Sequence, residues 1–592
     1  MHSHIRPHTH VALRLPSGIL KIVELKPNTN IFLGKFGTFN SNLLLGRPYY
    51  NTYELLDKDD GKKNAELRVV PAAELHAEAV GDGHAPPPAA EEADDSAEGG
   101  AGFDIVDADG EVIMRNNRLT VDDATRQTLT MEEIEELKKA GTGSGKEIIA
   151  KIMASHQAIS EKTAFSLAKY TLRKSRKFLR RFTALPLDVG RLAEHILEKE
   201  AYRIMELREE SLGLISSWSN VHCSATSRVL TAEDGVSQIG GGRWLVVDDT
   251  GGLVVAALAE KMGLLYPNEE LDDASGEDED EDEEPTETPS NDQQTSTDTA
   301  MPDVDPTDAS NRPRKPPRPH IPQMSAYTNT LTILHPNNQP NLACLKYFGY
   351  DVGQPSSTHP LYKHLKSLSW LSLIAPEDDP SYIEPELLSA AELEAMKSSK
   401  RGNYYKKRRR WERTKRVVDE TKRGGFDGLV VATSMDVKGI LKELVPLVRG
   451  GGKVVVYHQN VEPLVELVDC YSKERRAAFI AREFGEPGQN GKRALEESNG
   501  EADEDEDFPV NPTLLLAPGL QTARARQWQV LPERTHPMMT SKGGAEGYLF
   551  TATRVIPVEG RVEARGHGTR KKRKTAVETP AETSAAETPV EA

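Results

Sequence analysis

Between residues 10 and 33 apolar and polar positions alternate in short spans: residues 10–15, a Pro16-Ser17-Gly18 turn, residues 20–25, a Pro27-Asn28 turn, then residues 31–33 before Gly34. Period-two alternation interrupted by turn residues predicts strands joined as hairpins. Gly34, Gly37 and Gly46 interleave with Phe36, Phe39 and Tyr49, which suits the tight bends of a small β-barrel. A hairpin over residues 103–114, turning at Asp109-Gly110, is expected to close that barrel within residues 1–120.

The period then lengthens. Thr130, with Glu133 three residues on, forms a capping box ahead of a helix over 131–139. A second helix is expected after Ser144 and a third from about 161 to 181, so that residues 121–220 form a helical connector. Beyond Val221, strands (244–247, 331–334, 428–432, 453–457) alternate with helices (253–262, 340–347, 437–448). Repeated strand–helix units predict a parallel sheet with helices on both faces, a Rossmann-like domain over 221–560. The expected fold class is α/β.

Composition changes the domain count. A length of 592 residues alone suggests about four domains. Residues 72–102, 268–320, 485–507 and 565–592 are dominated by Glu, Asp, Pro, Ser, Gly, Ala and Thr, cannot bury a core, and are expected to be disordered. Two domains remain. The net charge of −18 argues against a nucleic-acid partner only on average, because residues 269–284 alone hold twelve acidic residues and strongly basic segments lie elsewhere. Cys223, Cys344 and Cys470 lie far apart with no CxxC pair, as expected of a reduced intracellular protein. Apolar runs such as 253–259 are too short to span a membrane, so no membrane role is expected. His2, His4, His8 and His10 lack cysteine or carboxylate companions, and no metal site is expected there.

Two glycine-rich segments invite a nucleotide reading. Residues 140–146 (AGTGSGK) approach a phosphate-binding loop, but Glu147 stands where a hydroxyl should hold Mg²⁺ and the preceding segment is a helix former. The turn after the strand at 244–247 is where a class I methyltransferase would hold S-adenosylmethionine on an acidic residue and a G-x-G-x-G loop. Aligned on Asp248, Thr250 and Val254 take two of the three glycine places and only Gly252 survives. β-Branched side chains there disfavour positive φ and fill the ligand's space. The next strand should end in a carboxylate for ribose hydroxyls, yet the chain reads Leu334-His335-Pro336. This is a cofactor loop that has degenerated, and no cofactor is expected on this chain.

Further motifs carry a family resemblance. Arg6-Pro7, Val11 through Ser17, Leu33-Gly34-Lys35-Phe36-Gly37, Gly46-Arg47-Pro48-Tyr49 and Thr52-Tyr53-Glu54 resemble the N-terminal region of the non-catalytic subunit of the eukaryotic tRNA adenine-58 N1-methyltransferase. Asn117-Arg118-Leu119, Ser160 through Thr163, His359 through Tyr362, Leu368-Ser369-Trp370 and the stretch from Trp528 to Pro537 are similar to the same family in order and spacing. The resemblance implies two such subunits with two catalytic ones. In that arrangement the partner binds S-adenosylmethionine and this chain helps hold the tRNA. A catalytic relative would place an Asp after the strand at 428–432. This chain has Thr433-Ser434-Met435 first, and Asp436 is expected to cap a helix.

Two basic segments are the candidates for tRNA: Lys169, Arg173, Lys174, Arg176, Lys177, Arg180 and Arg181 on the third helix, and the run Lys406, Lys407, Arg408, Arg409 and Arg410 near Tyr404, Tyr405 and Trp411. Cations neutralise phosphates and exposed rings can stack on unpaired bases. The first could instead be a solvated helix, the second an import signal or a helix paired with acidic tracts. Arg570, Lys571, Lys572, Arg573 and Lys574 read as a nuclear-import signal, and a nuclear location is expected. Apolar surface on the barrel and around 528–537 is the expected partner face. Two other functions stay open on sequence: an autonomous S-adenosylmethionine-dependent RNA methyltransferase, and a general RNA-binding translation initiation factor.

Overall fold

The computed structural model describes residues 3–56, 65–75, 105–106, 112–114, 128–139, 145–156, 164–221, 241–267, 326–337, 339–484, 507–531, 534–538 and 546–557. The tail at 565–592 and nearly all of the segments 72–102, 268–320 and 485–507 lie outside these residues. Ala72 to Leu75 are described, however, and form a helical turn.

The N-terminal strands are β1 (His10–Arg14), β2 (Leu20–Glu24), β3 (Asn30–Phe32), β4 (Thr38–Asn40), β5 (Thr52–Leu55) and β6 (Leu67–Val69). They are followed by the short hairpin β7 (Ile105–Val106) and β8 (Val112–Met114). Next come helices α1 (Met131–Lys139), α2 (Lys146–Ala154) and α3 (Ala164–Phe178), then β9 (Arg181–Pro186). The sheet is antiparallel in the order β2-β1-β9-β5-β6. It corrects the expected barrel: among the described residues β2 and β6 are open edges, and β7 and β8 pair only with each other. It also corrects the domain boundary at residue 120, because β9 supplies the central strand from inside the expected connector.

The third helix ends sooner than the run of cations suggested. Phe182 stacks between Phe39 and Tyr53, at centroid distances of 5.0 and 5.5 Å. That aromatic burial draws the chain from helix into strand at residue 181. α1 to α3 gather a small core of their own from Ile134, Ile148, Ile149, Ile152, Phe178 and Leu179. The capping box on α1 is present, with the Glu133 backbone N–H donating to the Thr130 hydroxyl at 3.2 Å and the Thr130 N–H donating to the Glu133 carboxylate at 2.8 Å.

Helices α4 (Val189–Glu200) and α5 (Glu209–Trp218) lead into the second sheet. Its elements in chain order are β10 (Arg243–Asp248), α6 (Leu253–Met262), β11 (Thr330–His335), α7 (Leu361–His364), β12 (Leu365–Ser369), α8 (Trp370–Ile374), α9 (Ala390–Ala395), α10 (Ser398–Lys422), β13 (Phe426–Ala432), α11 (Val437–Leu444), β14 (Val448–His458), α12 (Glu462–Cys470), α13 (Lys473–Phe484), β15 (Leu515–Gln521), the hairpin β16 (Trp528–Leu531) and β17 (Arg534–Pro537), and β18 (Tyr548–Arg554). Sheet order is β12-β11-β10-β13-β14-β18-β15. The first five strands are parallel and in the 3-2-1-4-5 order of a doubly wound fold, and β18 pairs antiparallel with both β14 and β15, so that β15 again runs with the first five.

Alternation along each strand splits the core. Trp244, Val246, Ile333, Val430 and Val455 face α4, α5 and α6. Leu245, Val247, Leu334, Val431 and Val456 face α10, α11 and α12. α6 is buried nearly all round, which explains its apolar sequence LVVAALAEKM. The first of these two cores also takes Ala12, Leu20 and Leu185 from the N-terminal sheet, and Leu187 just after β9. The two sheets are therefore joined by shared hydrophobic burial and not merely tethered.

A closed cofactor crevice and two basic helices

In a doubly wound sheet ligands enter at the carboxyl ends of the strands where the order reverses, here between β10 and β13. Asp248 ends β10 and is buried. Its carboxylate accepts from the Thr250 backbone N–H (2.7 Å), the Thr250 hydroxyl and the Val255 N–H (3.0 Å). The Thr250 hydroxyl in turn accepts from the Val254 N–H at 3.2 Å. Burial pushes the Asp248 carboxyl above its ordinary range. All of these partners belong to the turn and the first residues of α6, so the carboxylate organises the protein backbone.

The roof of the turn is also protein. Gly252 has φ +86°, and a Cβ placed on it would lie 2.9 Å from the Leu342 Cα. The Cys344 N–H donates to the Gly251 carbonyl at 2.9 Å. Leu342 and Cys344 are themselves buried, and burial pushes the Cys344 thiol up to about 12. Across the switch point the Thr433 hydroxyl donates to the Asp249 carboxylate, and the Asp249 N–H donates to the Ala432 carbonyl at 2.9 Å. These bonds bridge the ends of β10 and β13. At the end of β11 His335 is buried and held below its ordinary pKa by desolvation, so it offers a neutral imidazole where a ribose-binding carboxylate would stand. S-Adenosylmethionine does not fit this set of residues. Asp436 caps α11 as the sequence predicts, accepting from the Lys438 and Gly439 N–H groups at 3.2 and 2.9 Å.

Family membership agrees with this geometry. The Gcd10p family model matches residues 4–397. This chain belongs to the Gcd10p family. Among its relatives, tRNA (adenine(58)-N(1))-methyltransferase non-catalytic subunit trm6 of Aspergillus oryzae is 48% identical, covering 98% of this chain and 97% of its own. The protein of the same name from Aspergillus fumigatus is 47% identical, with 98% of each chain covered. That from Debaryomyces hansenii is 27% identical over 96% of this chain and 90% of its own.

The first basic segment divides in two. Lys169, Arg173, Arg176 and Lys177 of α3 are exposed, and the Lys174 ammonium lies 4.9 Å from the Tyr170 ring centroid. Arg180 follows the helix in a short link, half-buried. Arg181 is a correction: it sits in β9, buried, with its guanidinium 3.1 Å from Glu54 and 2.9 Å from Glu74. Sequence reasoning grouped it with the cations of α3 because nothing local reveals that Glu54, more than a hundred residues earlier, needs a partner. Lys146 of the apparent phosphate loop is likewise engaged with Glu74 and starts α2, and the described element before the loop is the helix α1, not a strand. Residues 140–144 lie outside the described residues.

The second segment falls on α10, where Lys406, Lys407, Arg409 and Arg410 are exposed. Arg408 is half-buried between Glu384 (3.8 Å) and Glu412 (3.3 Å). Trp411, expected to be a stacking ring, is buried and donates its indole N–H to the Tyr382 carbonyl at 2.8 Å. The Tyr404 hydroxyl accepts from the Leu388 N–H. Arg570 through Lys574 lie outside the described residues. His10, from the supposed metal cluster, is part of β1 and packs edge-on to Tyr347, 5.2 Å between centroids. Among the described residues no cluster of potential metal ligands occurs, and no helix is long and apolar enough to cross a membrane.

Proposed function

We propose that this chain is the non-catalytic subunit of a tRNA (adenine(58)-N(1))-methyltransferase complex. The observation that carries the reading is the crevice closed by Leu342 and Cys344 over Gly252 and Gly251. Relatives sharing almost the whole chain bear that name. In this reading a catalytic partner binds S-adenosylmethionine and performs the transfer, and two copies of each subunit assemble. This chain scaffolds the partner and holds tRNA on the exposed cations of α3 and α10. The hairpin β16–β17, with Trp528 58% and Val530 74% exposed, is the surface on which the partner is expected. The basic run at 570–574 would direct the chain to the nucleus.

The test is calorimetric titration of S-adenosylmethionine into the isolated chain and into the complex, with tRNA methylation assayed in both. Silence and inactivity alone, with binding and turnover in the complex, are the expected results. Micromolar or tighter binding by the isolated chain would overturn the reading in favour of an autonomous enzyme.

A further inference from the structure

Lys406, Arg410, Arg413 and Arg416 are all exposed on α10. At 100° per residue they share one face, a row that extends about 15 Å along the axis. The opposite face is taken by the chain that precedes the helix. Residues 379–388 run antiparallel along it as a strap. The Tyr382 hydroxyl donates to Asp419 at 2.9 Å, Glu384 pairs with Arg408, and the Leu388 N–H reaches Tyr404. Trp411 is buried beneath the strap. At its base the helix is bolted to the sheet: Glu420, buried, lies 3.1 Å from both Arg243 of β10 and Lys366 of β12. The Arg243 guanidinium also donates to the Gly424 carbonyl at 2.8 Å.

We propose that α10 engages RNA through phosphates alone, laying its row of cations along the backbone of a double-helical stem. This rests on the tRNA-binding reading above and makes it specific. Binding of single strands ordinarily combines cations with rings on which bases stack. Here the strap consumes Trp411 and ties Tyr404, leaving an outward face dominated by cations with Tyr405, 43% exposed, at its edge. A row on a helix fixed to the sheet at one end needs no backbone ordering on binding, and it matches a ligand whose phosphates are themselves regularly placed. Such contacts position the RNA and carry no sequence information.

The test uses the complex of this chain with its catalytic partner. Anisotropy titrations with tRNA are run across a salt series, with an RNA duplex and an unstructured single strand of equal length as competitors. K406Q/R410Q/R413Q/R416Q is expected to flatten the slope of log K against log salt by about 3, four phosphate contacts at roughly 0.7–0.9 each. R410K/R413K/R416K should keep the slope, Tyr405→Ala should move Kd less than twofold, and the duplex should compete at least tenfold better than the single strand. An unchanged slope in the glutamine variant, a loss in Tyr405→Ala as large as in that variant, or equal competition by the single strand overturns the proposal. So does a glutamine variant that binds tRNA normally but fails to accumulate in the nucleus, which would make the row an import signal. If the wild-type complex itself does not bind tRNA, the functional reading falls and takes this proposal with it.

Discussion

Gly252 separates two accounts of the degenerate turn. A glycine retained for a cofactor would be needed for binding and dispensable for folding. This one has φ +86° and the Leu342 backbone against its Cα, so its absent side chain is a packing requirement. Gly252→Ala is expected to lower stability by more than about 1 kcal/mol in urea unfolding, since alanine is strained at positive φ and must also displace Leu342. Stability equal to wild type would return the glycine to a ligand role. Restoring the glycines should not restore the site: Thr250→Gly with Val254→Gly is expected to stay silent towards S-adenosylmethionine in calorimetry, because Leu342, Cys344 and the Thr433–Asp249 bond still fill the crevice. Heat of binding from that double variant would show that the two side chains alone exclude the cofactor.

The orientation of α10 depends on one buried carboxylate between two buried cations. Glu420→Ala leaves Arg243 and Lys366 without it, and removing one partner of a buried ion pair costs about 3–5 kcal/mol. The same figure is expected in urea unfolding, with α10 amides exchanging faster than those of α6; a loss below about 1 kcal/mol would mean that helix packing alone fixes α10. Elements of this sort mark the limit of what the sequence discloses. β10, α6, β11 and β13 were legible because apolar runs ended in clear turn residues, and the failed glycine pattern at Thr250 and Val254 was legible because chemistry dictates its spacing. The roof at Leu342 and Cys344 was not, since no local pattern says which distant segment will lie on a turn. For the same reason Arg181 read as one more cation of a basic helix, whereas its partners Glu54 and Glu74 pull it into a strand. Trp411 read as a stacking ring because the strap that buries it is an irregular segment without periodicity.

At the scale of the whole molecule, buried and half-buried histidines stand at the seam between the two sheets and around the second sheet. The His195 Nδ1 lies 2.9 Å from the Leu20 carbonyl, joining α4 to β2, and His10 of β1 packs on Tyr347. His335, His359 and His364 lie within the second sheet's surroundings. Burial lowers all five below their ordinary value of 6.5. The unfolded chain therefore takes up protons at pH values where the folded chain does not. Stability from these groups is full above about pH 6.5 and is lost as pH falls through that value towards the folded pKa values. Asp248, Glu209 and Glu260 act in the opposite sense, because burial raises their carboxyls and the folded chain holds their protons more tightly. A melting curve of the wild type alone mixes the two effects. The difference between wild type and His195→Gln isolates one: glutamine can still approach the Leu20 carbonyl but does not titrate. The variant's Tm is expected to fall less than that of the wild type between pH 7 and pH 5, and parallel curves would mean that His195 takes up its proton alike in the folded and unfolded chains, so that burial does not lower it.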